Sequence, residues 1–141
     1  MMNVLLPVSE FMAKDLITVA EGDELTVVKK IFDDHNIHHI PVVHFKEIKG
    51  MISKTDFLAY LKGAGSDVDL DDIEAKQVMT TKLAKLAPDD RVQIAIDLFT
   101  LNRFHALPVV DKGELVGLIT THDLIIALSK EKIHLEDYKH H

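Results

Sequence analysis

Cysteine is absent from the 141-residue chain. Disulfide frameworks, thiolate nucleophiles and thiolate metal sites are therefore excluded, and the composition suits a reducing cytosol. Positive charge is scarce: 16 Lys and Arg against 23 Asp and Glu leave a formal net charge of −7. This balance excludes a general basic surface for nucleic acid or anionic lipid, so any polyanionic ligand must be held by local geometry. No segment approaches the roughly 18 uncharged apolar residues of a membrane span. The start Met1-Met2-Asn3-Val4-Leu5-Leu6-Pro7 lacks the basic region of a signal peptide, and Pro7 and Glu10 stop its apolar stretch. A cytoplasmic chain is expected, with neither nucleic acid nor an inserted membrane as partner. A P-loop, a glycine-rich cradle opening a helix and a Ser/His/Asp set at recognisable spacing are also missing. No enzyme is expected and no catalytic residue is assigned.

What is present is one unit written twice. The hydrophobic share, 47%, is enough for one compact unit with its own core. Displaced by 67 residues, the distance from Met12 to Met79, segment 12–58 matches 79–125 without a gap. Met12/Met79, Leu16/Leu83, Asp23/Asp90, Phe32/Phe99, His38/His105, Pro41-Val42-Val43/Pro108-Val109-Val110, Gly50/Gly117 and Asp56/Asp123 coincide. Chance likeness of short amphipathic segments seldom keeps register through helix, turn and strand together. The boundaries expected are 8–62 for the first repeat, 63–74 for a small, acidic linker, 75–129 for the second repeat and 130–141 for a tail. A short helix near Ile73 to Val78 should lead to Met79 as Val8 to Phe11 leads to Met12.

Each copy reads as β-α-β-β-α. Extended pieces, Leu16 to Val19 and Leu83 to Leu86, come first. Glu21 to Glu24 and Asp89-Asp90 are expected to open helices, favoured there by exposed amides and the positive dipole end. Leu25, Val28, Ile31 and Phe32 recur at helical spacing, as do Val92, Ala95, Leu98 and Phe99. Pro41 and Pro108 should sit at a strand start or edge. Phe45-Lys46-Glu47 and Lys112-Gly113-Glu114 turn the chain into Ile48 to Ile52 and Leu115 to Ile119, whose glycines permit close backbone approach. Last helices begin near Thr55 and Thr121. A three-stranded sheet with helices on one face leaves the other face apolar and open. The fold expected is therefore α/β, two repeats packed sheet to sheet about a pseudo-twofold axis, with grooves at the seam.

The strand-to-helix junctions Gly50-Met51-Ile52-Ser53-Lys54-Thr55-Asp56 and Gly117-Leu118-Ile119-Thr120-Thr121-His122-Asp123 carry the sharpest functional signal. Unpaired amides at such a helix start can hold phosphate, with Ser53 or Thr120 as an added donor. A carboxylate three residues on, Asp56 or Asp123, can accept both ribose hydroxyls. The same spacing is also a capping box, whose only task would be to satisfy helix amides. His35-Asn36-Ile37-His38-His39 beside Asp33 and Asp34 could suggest a metal site. The second copy has Asn102, His105 and Ala106 there and no carboxylate clearly placed, so no metal is expected.

The Met-led start, the His-x-x-Pro-Val-Val run and the Gly-x-x-Ser/Thr-x-x-Asp ending, twice in tandem, resemble paired cystathionine β-synthase (CBS) domains, from about Val8 to Leu128. The resemblance implies a regulatory module that binds AMP, ADP, ATP or S-adenosylmethionine between two repeats, often as a homodimeric disc of four repeats that signals to a regulated partner. It places Asp56 and Asp123 on ribose and Ser53 and Thr120 on the phosphate side. His38 and His105 fall where the family faces a basic or polar residue to the groove, although a structural histidine serves as well. One position later, where the family often has arginine, stand His39 and Ala106. Ala106 departs from the pattern and leaves Lys54, Lys85 and Arg103 as weaker substitutes. Ile17 and Thr18 would wall the base at the Asp123 site, and Ala84 and Lys85 the base at the Asp56 site. The rival reading is a structural module that dimerises or docks with both grooves empty.

Overall fold

The computed structural model describes residues 2–130. Apart from Lys130, the tail expected over 130–141 lies outside the described residues. In the first half, β1 (Val19–Ala20) is followed by α1 (Leu25–Asp34), β2 (His39–His44), β3 (Glu47–Ser53) and α2 (Lys54–Ala64). In the second, α3 (Val92–Thr100) is followed by β4 (Ala106–Asp111), β5 (Glu114–Thr120) and α4 (Thr121–Ser129). Short 3-10 turns at Val8–Glu10 and Ala75–Gln77 precede the halves, the second standing where a short helix was expected. Another, Leu70–Asp72, lies between the halves.

The register repeats as closely as the sequence does. β2 pairs antiparallel with β3 and β4 with β5, each with one irregularity, at Val42/Val43 and Val109/Val110. Two-residue turns close the hairpins, with positive φ at Phe45 (47°), Lys46 (70°), Lys112 (51°) and Gly113 (81°). Such angles match the right-handed twist of the flanking strands. The first extended pieces are shorter than expected. β1 pairs only Val19 and Ala20, parallel to β2, and in the second half the strand shrinks to one bridge between Leu86 and Val109. The cause lies just beyond: the Asp23 and Asp90 carboxylates accept the amides of Ala20 and Ala87, both at 2.8 Å, and turn the chain away. Pro41 and Pro108 are the third residues of their strands, not the first. β1 reaches only Val42 and Val43, so Pro41 has no β1 partner to lose.

The acidic residues before α1 and α3 do not cap them. Glu24 and Arg91 hold the cap positions without a side-chain hydrogen bond. Backbone from the other half does this work instead: Leu25 N donates to Ile73 O and Val92 N to Leu6 O, both at 2.8 Å. The lead-in segments thus change places. Ile73 and Ala75 are buried in the first core with Leu25, Val28, Phe32, Ile40 and Ile52. Val8 is buried in the second with Val92, Ala95, Leu107, Val109 and Ile119. A third cluster, Ile48, Met51 and Leu118 with Leu16 and Leu83 against it, fills the layer between the sheets. Sheet-to-sheet packing about a pseudo-twofold axis follows from these reciprocal contacts.

The exchange continues at the glycines. Ala13 and Leu118 bond in both directions, at 2.8 and 3.0 Å, and Met51 and Thr80 likewise, both at 2.9 Å. A Cβ on Gly50 would stand 2.7 Å from Met79 Cγ and 2.9 Å from the Thr80 carbonyl oxygen. One on Gly117 would stand 2.8 Å from Met12 Cγ. The absence of a Cβ lets the opposite lead-in lie close across these strands, against backbone at Gly50 and against the Met12 side chain at Gly117.

Candidate functional site

The crossing lead-ins place a cleft at each seam, and each cleft is overlooked by the start of a helix. At α4 the capping box is complete. Thr120 N and Thr120 Oγ1 donate to Asp123 Oδ2 at 2.9 and 3.0 Å, and Asp123 N donates to Thr120 Oγ1 at 3.2 Å. Asp123 Oδ1 takes no part. At α2 only half of the box forms: Asp56 N donates to Ser53 Oγ at 3.0 Å, and the exposed Asp56 carboxylate accepts no hydrogen bond within the described residues. Lys54 N donates to the His38 carbonyl at 2.8 Å, which ties the histidine segment to this helix start.

The first cleft, about 380 Å³, is formed by Asp15, Leu16 and Ile17 of the lead-in with Asn36 to His39 of the first half and Thr120 to Asp123 of the second. The second, about 560 Å³, is formed by Thr80, Lys82 and Leu83 with Ser53, Thr55 and Asp56 and with Arg103 to Ala106. Asp123 and Thr120 thus share a cleft with Ile17, and Asp56 and Ser53 share the other.

Three imidazoles, of His38, His39 and His105, line both clefts and form a wall common to the two. Burial holds the pKa of half-buried His39 below the usual imidazole value. The neighbouring His105 and His38 push it the same way, and Asp56 opposes them. Among the described residues no group of three or more His, Cys, Asp or Glu side chains is placed to hold a metal ion.

Three expected wall residues fall outside the clefts. Thr18 and Lys85 are exposed and line neither. Ala84 packs against the second core. Each chain segment passes the seam at Leu16-Ile17 or Leu83 and then turns into its own half to pair at Val19 or Leu86, carrying the next residues away. Lys54 lines neither cleft, whereas Arg103 lines the second. Asp15, Asn36, His122, Thr55, Thr80 and Lys82 also line the clefts without having been singled out for ligand binding. The signal that could have found them is the 67-residue offset itself, since Asp15/Lys82, Asn36/Arg103 and Thr55/His122 are equivalent positions.

Two halves closed on each other by exchanged lead-ins, with a carboxylate over each seam cleft, define a tandem-repeat α/β fold. Residues 8–63 and 75–130 each match the family model of the CBS domain, and the chain belongs to that family. The CBS domain-containing protein YhcV of Bacillus subtilis is 27% identical over 119 residues, 84% of this chain and 83% of its own length. Among solved structures, the CBS domain pair of protein MJ0100, in complex with 5′-methylthioadenosine and S-adenosyl-L-methionine, has a TM-score of 0.78 at 22% identity, covering 91% of this chain and 99% of that one. CBSX2 in complex with AMP has a TM-score of 0.75 at 22% identity, covering 89% and 97%. The chain spans only 21% to 22% of the inosine-5′-monophosphate dehydrogenases that it also matches.

Proposed function

We propose that the protein is a ligand-sensing regulatory module that binds an adenine nucleotide or an adenosyl compound, AMP, ADP, ATP or S-adenosylmethionine, between its repeats. The observation that carries this reading is the pairing, at both seams, of a helix-start carboxylate with a cleft walled by the other half's lead-in. Asp123 Oδ1 and the whole Asp56 carboxylate have acceptor capacity that a ribose diol can use. The adenosyl ligands of the MJ0100 pair and of CBSX2, two structures of the same fold, support it further.

A sensor must report occupancy, and a ligand shifts a conformational balance only by binding two arrangements unequally. Exposed Leu58 on α2 and Ile125, Ile126 and Leu128 on α4 give a homodimer apolar surface to bury. Dimer geometry is the quantity that the ligand would alter, and a separate regulated protein the one that reads it. Energy sensing in a reducing cytoplasm, without catalysis, is the role proposed.

The test is calorimetric titration of the full chain with AMP, ATP and S-adenosylmethionine. Binding of at least one of them is expected, lost on Asp56→Ala or Asp123→Ala. A second reading, a structural module with empty grooves, draws on the complete capping box at Asp123, which gives that carboxylate a task without any ligand. No heat with any of the three would favour it.

A further inference from the structure

The two clefts are built from equivalent positions yet carry opposite charge. Asp15 in the first is matched by Lys82 in the second, and Asn36 by Arg103, each pair separated by the 67-residue repeat. Among the described residues the first cleft therefore has two carboxylates, Asp15 and Asp123, and no lysine or arginine. The second, among the same residues, sets Lys82 and Arg103 against the one carboxylate of Asp56. The remaining titratable groups that face them do not cancel the difference. His38, His39 and His105 border both clefts, and His122 borders only the first.

We propose that the clefts take different chemical classes of adenosyl ligand: the Asp56 cleft a phosphorylated nucleotide, the Asp123 cleft a nucleoside without phosphate, neutral or carrying a sulfonium. The inference rests on the adenosyl reading of both clefts. Phosphate oxygens gain charge-assisted hydrogen bonds from an ammonium and a guanidinium, the latter able to hold two oxygens at once. Between Asp15 and Asp123 the same group meets like charge, whereas a sulfonium is drawn in. Volume follows the same order, about 560 Å³ for the cleft with the cations and about 380 Å³ for the other.

Titration of the full chain with AMP, ATP, adenosine and S-adenosylmethionine tests this, with two double variants at cleft-rim positions. Lys82→Ala/Arg103→Ala removes the cations, both on exposed side chains whose loss leaves the cores intact. Asp15→Lys/Asn36→Arg copies them into the first cleft. AMP and ATP should bind once per chain and weaken roughly tenfold or more in the first variant, with adenosine and S-adenosylmethionine binding at the Asp123 cleft unchanged. The second variant should raise AMP stoichiometry to two. AMP binding that is indifferent to Lys82 and Arg103, or two AMP sites in the unaltered chain, would overturn the assignment while leaving the adenosyl reading intact. Failure of all four compounds to bind would sink that reading and this one with it.

Discussion

The amide of Val8 donates to the carbonyl of Asp90 at 2.7 Å, and its side chain is fully buried in the second core. Ala75 repeats the relationship in reverse, donating to Asp23 at 2.7 Å. A residue near the start of the chain therefore belongs to the far half. Val8→Ala should lower stability by about 2 kcal/mol, roughly 0.8 kcal/mol for each of the two lost methyl groups plus the cavity they leave. Urea denaturation should show both halves losing structure in one transition. A loss of less than about 0.5 kcal/mol, or two separate transitions, would contradict the exchange.

Gly50 and Gly117 occupy equivalent positions but face different obstacles. A Cβ at Gly50 meets the backbone carbonyl of Thr80, a residue held to Met51 by one hydrogen bond in each direction. A Cβ at Gly117 meets only the Met12 side chain, which can change rotamer. Gly50→Ala should cost about 1–3 kcal/mol as overpacking against backbone, and Gly117→Ala less. Equal midpoint shifts in the two variants would show that the crossing segments yield more readily than their hydrogen bonds suggest.

The two carboxylates also differ in what the fold asks of them. Asp123→Ala leaves Thr120 N without its acceptor and should cost about 1 kcal/mol. Asp56→Ala removes no accepted hydrogen bond and should change stability by only a few tenths of a kcal/mol, through the helix dipole. Thermal unfolding of both variants checks the difference. Asp56→Ala is accordingly the cleaner probe of ligand binding, since it separates recognition from helix capping.

His39 sets a pH dependence of known sign. Burial first, then His105 and His38, keep its folded pKa below the unfolded value, so the folded state disfavours its proton. Below pH about 6.5 the unfolded chain takes up that proton and the folded chain resists it. The His39 contribution is therefore neutral above that pH and destabilising as pH falls through it. Comparing urea midpoints at pH 8 and pH 5.5 should show a smaller acid loss in His39→Gln than in the unaltered chain. An equal loss in both would remove His39 from the account.

Much of this architecture was legible because the repeat carries its own register. His38/His105, Pro41/Pro108, Gly50/Gly117 and Asp56/Asp123 mark strands, turns and helix starts twice over, and the structure puts equivalent elements at those places. The exchange of lead-ins was not legible. Val8 and Ala75 are apolar wherever they pack, and periodicity says that a face is buried without saying against which half. Asp23 and Asp90 were read as helix openers because acidic residues serve there, but a carboxylate can also accept an amide three residues back, and that turn shortened the strands. Pairing at Val19 and Leu86 within their own halves carries Thr18 and Lys85 off the seam. The contrast of Asp15 with Lys82 stands in the sequence, at a position where the two copies differ in charge instead of agreeing.

Because each half finishes its core with a strand of chain borrowed from the other, the joint between them is a clasp more than a hinge. Severing the polypeptide near Gly65 and Ser66 would leave two fragments still hooked together, each closing the other's sheet. Protease nicking there is then a poor reporter of separation. Pulling the fragments apart would require both to open their interiors.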